Sequence, residues 1–191
     1  ALLREEFVNW NNKARRYPKE ALAILVTLGG GDAQNTTLRI LRALEAIHRP
    51  EMEFRIVVGP TNPHVKSLQD FSRHSKLNVQ ILRSARNMPE LMNWADLAIS
   101  AAGSTCWELA FMGVPSVLLV TADDQKNVAE GMHGAGAAVN LGKDEAISTD
   151  QIIDALSRLI ESPDKRQKLA MAGQSLVSGD GAARVVQRIL A

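Results

Sequence analysis

Leu22-Ala23-Ile24-Leu25-Val26-Thr27-Leu28-Gly29-Gly30-Gly31-Asp32 is an apolar run of strand length that stops on three consecutive glycines. Aliphatic and β-branched side chains with no interleaved charge read as a strand buried on both faces, the pattern of a parallel sheet. From about Thr36 the period becomes helical, with Leu38, Leu41, Leu44 and Ile47 on one broad face. The alternation repeats outward from this unit. Glu53–Gly59, Leu77–Leu82, Asp96–Ser100, Pro115–Val120 and Ala137–Leu141 read as further strands, six in all. Helices fall between them: after Pro60 and Pro63 through Leu68 and Phe71, over Met88–Ala95, and from near Thr105 and near Asp124.

After Ser148 only the helical period remains. Ile152, Leu156, Leu159 and Ile160 mark one helix, Pro163–Gly173 a second, and Ala182, Val185, Val186 and Ile189 a third. The expected fold is therefore α/β: a Rossmann-like, doubly wound parallel sheet of about six strands with helices on both faces. No internal repeat, low-complexity segment or linker interrupts it. One domain is expected, with a helical C-terminal tail.

The 191 residues suffice for one sizeable domain. Its 22 basic and 21 acidic side chains are interspersed, which argues against a nucleic-acid binder. The Asp164–Lys168 run reads as a solvated helix face. Arg83 and Arg86 flank a strand end and could meet phosphate, but two arginines are not a basic patch. The single cysteine, Cys106, excludes an internal disulfide and fits a reducing, cytoplasmic compartment. No apolar stretch approaches the roughly 20 residues that span a bilayer, and no signal peptide is visible. The chain opens on Ala1 rather than Met, as a piece of something longer or a processed N-terminus would.

In an open α/β sheet, ligands collect beyond the carboxyl ends of the strands. Four such ends carry informative residues. At Leu28–Asn35, three glycines between strand and helix permit positive φ, close backbone approach and amides aimed at an anion. The plainer reading is a tight turn with Asn35 as N-cap. The loop has neither the G-x-G-x-x-G fingerprint nor a Walker lysine. At Asp96–Glu108 a strand runs through Ala101-Ala102-Gly103-Ser104 into a helix, whose unsatisfied first amides suit a phosphate. Glu108, one turn in, could accept from the two hydroxyls of a ribose. Thr105-x-x-Glu108 also matches a capping box, and spacing alone favours the cap.

At Thr121–Gln125, Gln125 or the acid before it could reach sugar hydroxyls, or Asp123 is a plain N-cap. At Arg83–Met88 exposed backbone could pair with a base edge, or the segment is an ordinary loop. No catalytic constellation emerges. His48, His64, His74 and His133 are scattered without zinc or triad spacing, and read as surface or helix-terminal. Cys106 reads as a buried small hydrophobe, although a thiol at a helix start could be somewhat acidic. Ser104 lacks the Gly-x-Ser-x-Gly elbow of a hydrolase. Trp94, Trp107 and Phe111 read as packing. No metal site and no cofactor are expected.

The stretch Asp96–Thr105, with Trp107-Glu108-Leu109 and Gly113-Val114-Pro115, resembles the C-terminal domain of GT-B enzymes. It is most similar to the UDP-sugar hydrolases of pseudaminic acid biosynthesis and their spore-coat-polysaccharide relatives. The N-acetylglucosaminyltransferases of peptidoglycan synthesis are a more distant likeness. Ala1–Phe7 looks like the segment at the domain junction of the hydrolases, and Gly29-Gly30-Gly31-Asp32 followed by Asn35 fits their first loop. The likeness covers nearly the whole chain; the C-terminal helices are generic.

The resemblance implies a UDP-sugar site facing an interdomain cleft. By analogy Gly30, Gly103, Ser104 and Thr105 meet the diphosphate, Glu108 the ribose, Ala85 and Met88 the uracil, and Gln125 the sugar. A cap and a ribose contact need not exclude each other at Glu108. Where the family often has Asn-Gln, this chain reads Asp124-Gln125. Residues 1–191 would form the C-terminal, nucleotide-sugar-binding domain. A separate N-terminal domain of the same polypeptide, absent here, would supply the acceptor side or the water-activating histidine. No catalytic residue is then expected in this chain. Release of UDP from a UDP-amino-sugar by water is the first expectation, with helix amides and no metal stabilising the leaving diphosphate. A glycosyltransferase donor domain is the alternative, and a non-catalytic nucleotide or protein-interaction module on the same fold is a third.

Overall fold

The computed structural model describes residues 1–10 and 15–190. A short helix α1 (Glu5–Val8) precedes the alternating body. That body runs β1 (Ala23–Thr27), α2 (Thr36–Ala46), β2 (Glu53–Val58), α3 (Val65–His74), β3 (Asn78–Arg83) and α4 (Met88–Trp94). It continues through β4 (Leu97–Ala101), α5 (Thr105–Phe111), β5 (Ser116–Val120), α6 (Lys126–Gly134) and β6 (Val139–Lys143). Three helices close the chain: α7 (Thr149–Ile160), α8 (Pro163–Leu176) and α9 (Gly181–Leu190). Each predicted strand exists, displaced by one or two residues, because strand ends are set by pairing rather than composition.

All strand pairings are parallel, in the order β3-β2-β1-β4-β5-β6. Connections run outward from β1 to one edge, then return to β4 and run to the other. The order therefore reverses between β1 and β4, where a doubly wound sheet leaves a crevice.

The period of two along each strand builds two cores. Ile24, Val26, Leu97, Ile99, Val117 and Leu119 point into the first, which α2, α3 and α7 cover. Leu25, Ala98, Leu118 and Val120 point into the second, with Phe7 from α1, Met92 from α4, Leu109 from α5 and Met132 from α6. Every residue of β4 and β5 is buried, as strands sandwiched between helix layers must be. Asp96 registers the centre of the sheet, accepting from the Leu22 and Ala23 amides at 2.9 and 3.0 Å.

The Asp164–Lys168 run departs from its predicted role. Asp164, Lys165 and Lys168 are exposed, but Arg166 is fully buried. Its guanidinium donates to the carbonyls of Leu159 (2.5 Å) and Ile160 (2.7 Å), and also to that of Pro18. The carbonyls of Leu159 and Ile160 also accept from the Ser162 and Ala21 amides at 3.4 and 3.0 Å, so the arginine adds a second donor to each and ties α8 to the chain before β1. Charge count could not reveal this, because one position of a helical turn faces the core whatever its neighbours do. Among the described residues, no helix is long and apolar enough to cross a membrane.

Candidate functional site

A cleft of about 420 Å³ opens at the carboxyl edge of the sheet over the β1/β4 reversal. Its walls are the loop after β1 from Leu28 to Gln34, Gly103–Thr105 after β4, Thr121 and Gln125 after β5, and Asp144 and Glu145 after β6. Five of the predicted residues meet here: Gly30, Gly103, Ser104, Thr105 and Gln125. Glu108, Ala85 and Met88 are not in its lining.

The glycine loop is shaped by backbone strain and by a clasp from the next strand. Gly29 has φ +85°, Asp32 φ +46° and Asn35 φ +55°, all left-handed. Asn35 precedes α2, but its side chain caps nothing. Asp32 caps instead: its two carboxylate oxygens accept from the Thr36 amide at 2.7 Å and the Thr37 amide at 3.1 Å. Asn35 holds the N-cap position as predicted, in a left-handed conformation, but the side-chain capping bonds come from Asp32. The first amides of α2 are thereby spent, and anion contacts in this loop fall to the glycines.

Gly59 and Thr61 were not singled out from the sequence, and His64, read as surface or helix-terminal, does stand at the N-cap of α3 and also reaches the glycine loop. A Cβ on Gly59 would lie 2.5 Å from Gly30 Cα and 2.5 Å from its carbonyl oxygen, so the glycine loop rests directly on the end of β2. Thr61 Oγ1 donates to the Gly30 carbonyl at 2.8 Å, and a ring nitrogen of His64 lies 3.1 Å from the Ala33 carbonyl. The only available signal was a glycine closing a strand, which ordinarily marks close backbone approach.

At the start of α5 the capping box does not form. Ser104 occupies the N-cap position with helical φ and ψ, and no side chain caps the helix. The amides of Cys106 and Trp107 donate to the carbonyls of Gly103 and Ser104 at 3.1 and 3.2 Å. The amides left at this turn are those of Gly103, Ser104 and Thr105, the three assigned to a diphosphate by resemblance. A capping box does form at Ser148 and Gln151, ahead of α7.

Glu108 turns away from its own helix start. It is 7% exposed and accepts from Arg4 Nε at 2.9 Å and Arg4 Nη2 at 3.3 Å. That bond, more than the surrounding charges, raises the Arg4 guanidinium above its ordinary pKa. Arg4 is held by Phe7, which is fully buried and lies 5.0 Å beneath the guanidinium. The predicted ribose ligand is thus nearly buried and already paired to the N-terminal segment.

Cys106 is fully buried in the second core, and burial pushes its thiol up to about 12. The idea of an acidified thiol is corrected: desolvation outweighs whatever the helix start contributes. Asp123 is likewise no cap. It lies in a 3-10 turn, Asp123–Gln125, that Ala122 precedes and that leads into α6 with Gln125 at the N-cap, and its carboxylate pairs with Lys143, which lowers its pKa. Gln125 accepts from the Thr121 amide and hydroxyl at 3.0 and 3.1 Å.

Ala85 lines a neighbouring groove of about 460 Å³ after β3, together with Arg55, Arg83 and Arg86. Met88 does not line that groove: it is 7% exposed and packs in the second core. Trp94 serves packing, with the Arg55 guanidinium 4.1 Å above its ring. Among the described residues, no group of three or more His, Cys, Asp or Glu side chains could hold a metal ion.

A six-stranded parallel sheet in this order, with its cleft at the reversal, defines the Rossmann-like half of a GT-B glycosyltransferase fold. The chain belongs to the family of the glycosyltransferase family 28 C-terminal domain, whose model matches residues 23–189. The spore coat polysaccharide biosynthesis protein SpsG of Bacillus subtilis is 30% identical over 170 residues, 87% of this chain and 49% of that protein. The UDP-N-acetylglucosamine–N-acetylmuramyl-(pentapeptide) pyrophosphoryl-undecaprenol N-acetylglucosamine transferase of Carboxydothermus hydrogenoformans is 31% identical over 178 residues. That match covers 87% of this chain and 47% of the transferase. The chain thus spans about half the length of these curated relatives. Among solved structures, MurG of Acinetobacter baumannii superposes with a TM-score of 0.75 at 22% identity, covering 96% of this chain and 52% of that one. The spinosyn rhamnosyltransferase SpnG, complexed with thymidine diphosphate, gives 0.67 at 22% identity over 93% and 49%. Likeness at this identity shows the fold.

Proposed function

We propose that this chain is the donor-binding, C-terminal domain of a GT-B glycosyltransferase that uses a UDP-sugar in surface polysaccharide biosynthesis. One observation carries the reading. The loops after β1, β4 and β5 bring Gly30, Gly103, Ser104, Thr105 and Gln125 into one cleft, in which the amides of residues 103–105 remain available. A diphosphate is the ligand such amides suit: an anion rich in acceptor oxygens, recognised without a fixed counter-charge. During transfer the diphosphate departs from the anomeric carbon, and the same amides stabilise the charge that develops on it. Glu108 then takes the ribose hydroxyls, sharing or exchanging Arg4, and the groove at Ala85 takes the uracil. A second domain carries the acceptor side, a proposal supported by relatives about twice as long as this chain.

Transfer displaces hydrolysis as the leading reading, because the names of the matched relatives carry transfer or polysaccharide synthesis. Hydrolysis of a UDP-amino-sugar of the pseudaminic acid type remains the variant in which water takes the acceptor's place. The intact protein, given UDP-N-acetylglucosamine, decides between them: acceptor-dependent UDP release supports transfer, and release with water alone supports hydrolysis. Failure of the folded protein to bind any uridine nucleotide would sink both and leave a non-catalytic module.

A further inference from the structure

Gln125 stands where the loop after β5 meets the cleft, and one residue governs its side chain. Its Oε1 accepts from the Thr121 backbone N–H at 3.0 Å and from the Thr121 hydroxyl at 3.1 Å. The two ends of an amide are ordinarily assigned from their hydrogen-bonding context. Here a backbone N–H faces one end, and since it can only donate, that end is the oxygen. The two bonds occupy both lone pairs of Oε1. The amide nitrogen is consequently turned toward the opposite wall. It lies 3.9 Å from the position a Cβ on Gly103 would take, and both Thr121 and Gln125 line the cleft.

We propose that Thr121 is a positioning residue that locks Gln125 as a hydrogen-bond donor, so that this corner of the cleft selects a ligand oxygen offering a lone pair. The inference rests on the nucleotide-sugar reading above and deepens it. A freely turning glutamine serves donors and acceptors alike; this one serves acceptors only. The matching chemistry is a diphosphate oxygen, or a carbonyl or hydroxyl oxygen of the sugar. A carboxylate at position 125 would keep both bonds from Thr121 yet turn an anionic oxygen toward the diphosphate.

Calorimetric titration of the intact protein with UDP and with UDP-N-acetylglucosamine tests this. Thr121→Val removes the hydroxyl bond at constant shape, and binding of UDP-N-acetylglucosamine is expected to weaken roughly three- to ten-fold, the scale of one neutral hydrogen bond. Thr121→Ser restores the hydroxyl and returns affinity to the wild-type value. Gln125→Glu weakens binding further, by about ten-fold or more, through like-charge repulsion and loss of the donor. Parallel losses for both ligands assign the donor to the diphosphate, and a loss confined to UDP-N-acetylglucosamine assigns it to the sugar; either supports the proposal. Wild-type affinity in Thr121→Val, or no recovery in a folded Thr121→Ser, overturns it. If Thr121→Val does not fold, unchanged binding by Gln125→Glu overturns it. A wild-type protein that binds neither ligand overturns the functional reading itself, an outcome distinct from binding that the variants leave unchanged.

Discussion

Arg4 closes a two-pronged ion pair on Glu108 across 104 positions of sequence, Nε to Oε1 at 2.9 Å and Nη2 to Oε2 at 3.3 Å. The paired glutamate is nearly buried, whereas the arginine side chain is 52% exposed. The N-terminal segment is thereby coupled to the residue assigned to the ribose.

Glu108→Ala is expected to weaken UDP binding more than it destabilises the fold. A half-exposed pair contributes on the order of 1 kcal/mol or less. Loss of charged hydrogen bonds to a ribose costs about 1.5–3 kcal/mol, or ten-fold and more in affinity. Calorimetry beside a thermal melt separates the two. A lowered melting temperature with unchanged affinity would make Glu108 only the partner of Arg4.

Gly59→Ala is expected to weaken nucleotide binding from beneath the cleft. The added methyl would sit 2.5 Å from the Gly30 backbone, which has no rotamer with which to yield, so the glycine loop must move. Overpacking of this kind costs roughly 1–3 kcal/mol, and displacement of the loop is expected to reduce UDP affinity at least about ten-fold. An unchanged dissociation constant in a folded variant would detach the loop from the ligand.

Arg166→Met is expected to destabilise the protein by about 1–3 kcal/mol, since the Pro18 carbonyl loses the guanidinium that ties it to α8 and the carbonyls at the end of α7 lose their second donor. Urea denaturation measures the loss. The site is remote from the cleft, so the surviving folded protein retains its nucleotide affinity. A loss below about 1 kcal/mol would mean that water replaces the guanidinium without penalty.

Cys106 makes stability depend on alkaline pH. Its folded thiol titrates at about 12, above its ordinary value of 9.0. The folded state therefore holds its proton while the unfolded state releases one, and stability falls as pH rises from about 9 toward 12. Below 9 this contribution is fully present. Cys106→Ala is expected to flatten the decline of melting temperature across that range, and the native thiol is expected to resist alkylation at pH 8. Rapid alkylation of the folded protein would show that the thiol is exposed after all.

The likeness between sequence reading and structure is strongest where the signal is local. Ile24 and Leu25 feed opposite cores because neighbouring residues on a strand face opposite ways, a period visible in the run itself. Gly103, Ser104 and Thr105 were legible as a strand-to-helix turn for the same reason. The capping box at Thr105 and Glu108 was also a local inference, and it failed because Ser104 holds the N-cap with Thr105 already in the helix, while a residue 104 positions away pairs with the carboxylate. Arg166 failed similarly: its neighbours advertised solvent, but the turn of α8 delivered that one side chain to the chain before β1.

From the sequence alone follow the six strands, the helices between them, the doubly wound class and the strand ends where a ligand collects. Hydrophobic period and turn chemistry act over a few residues, so they are written along the chain. Only the tertiary structure decided that the loop after β1 rests on Gly59, that Arg4 holds Glu108, and that Thr121 turns Gln125 toward the cleft. The contacts of Gly59 and Arg4 join segments that meet only after the crossovers have stacked the strands side by side. The third is local, four residues apart, but its meaning depends on which loop faces it across the β1/β4 reversal.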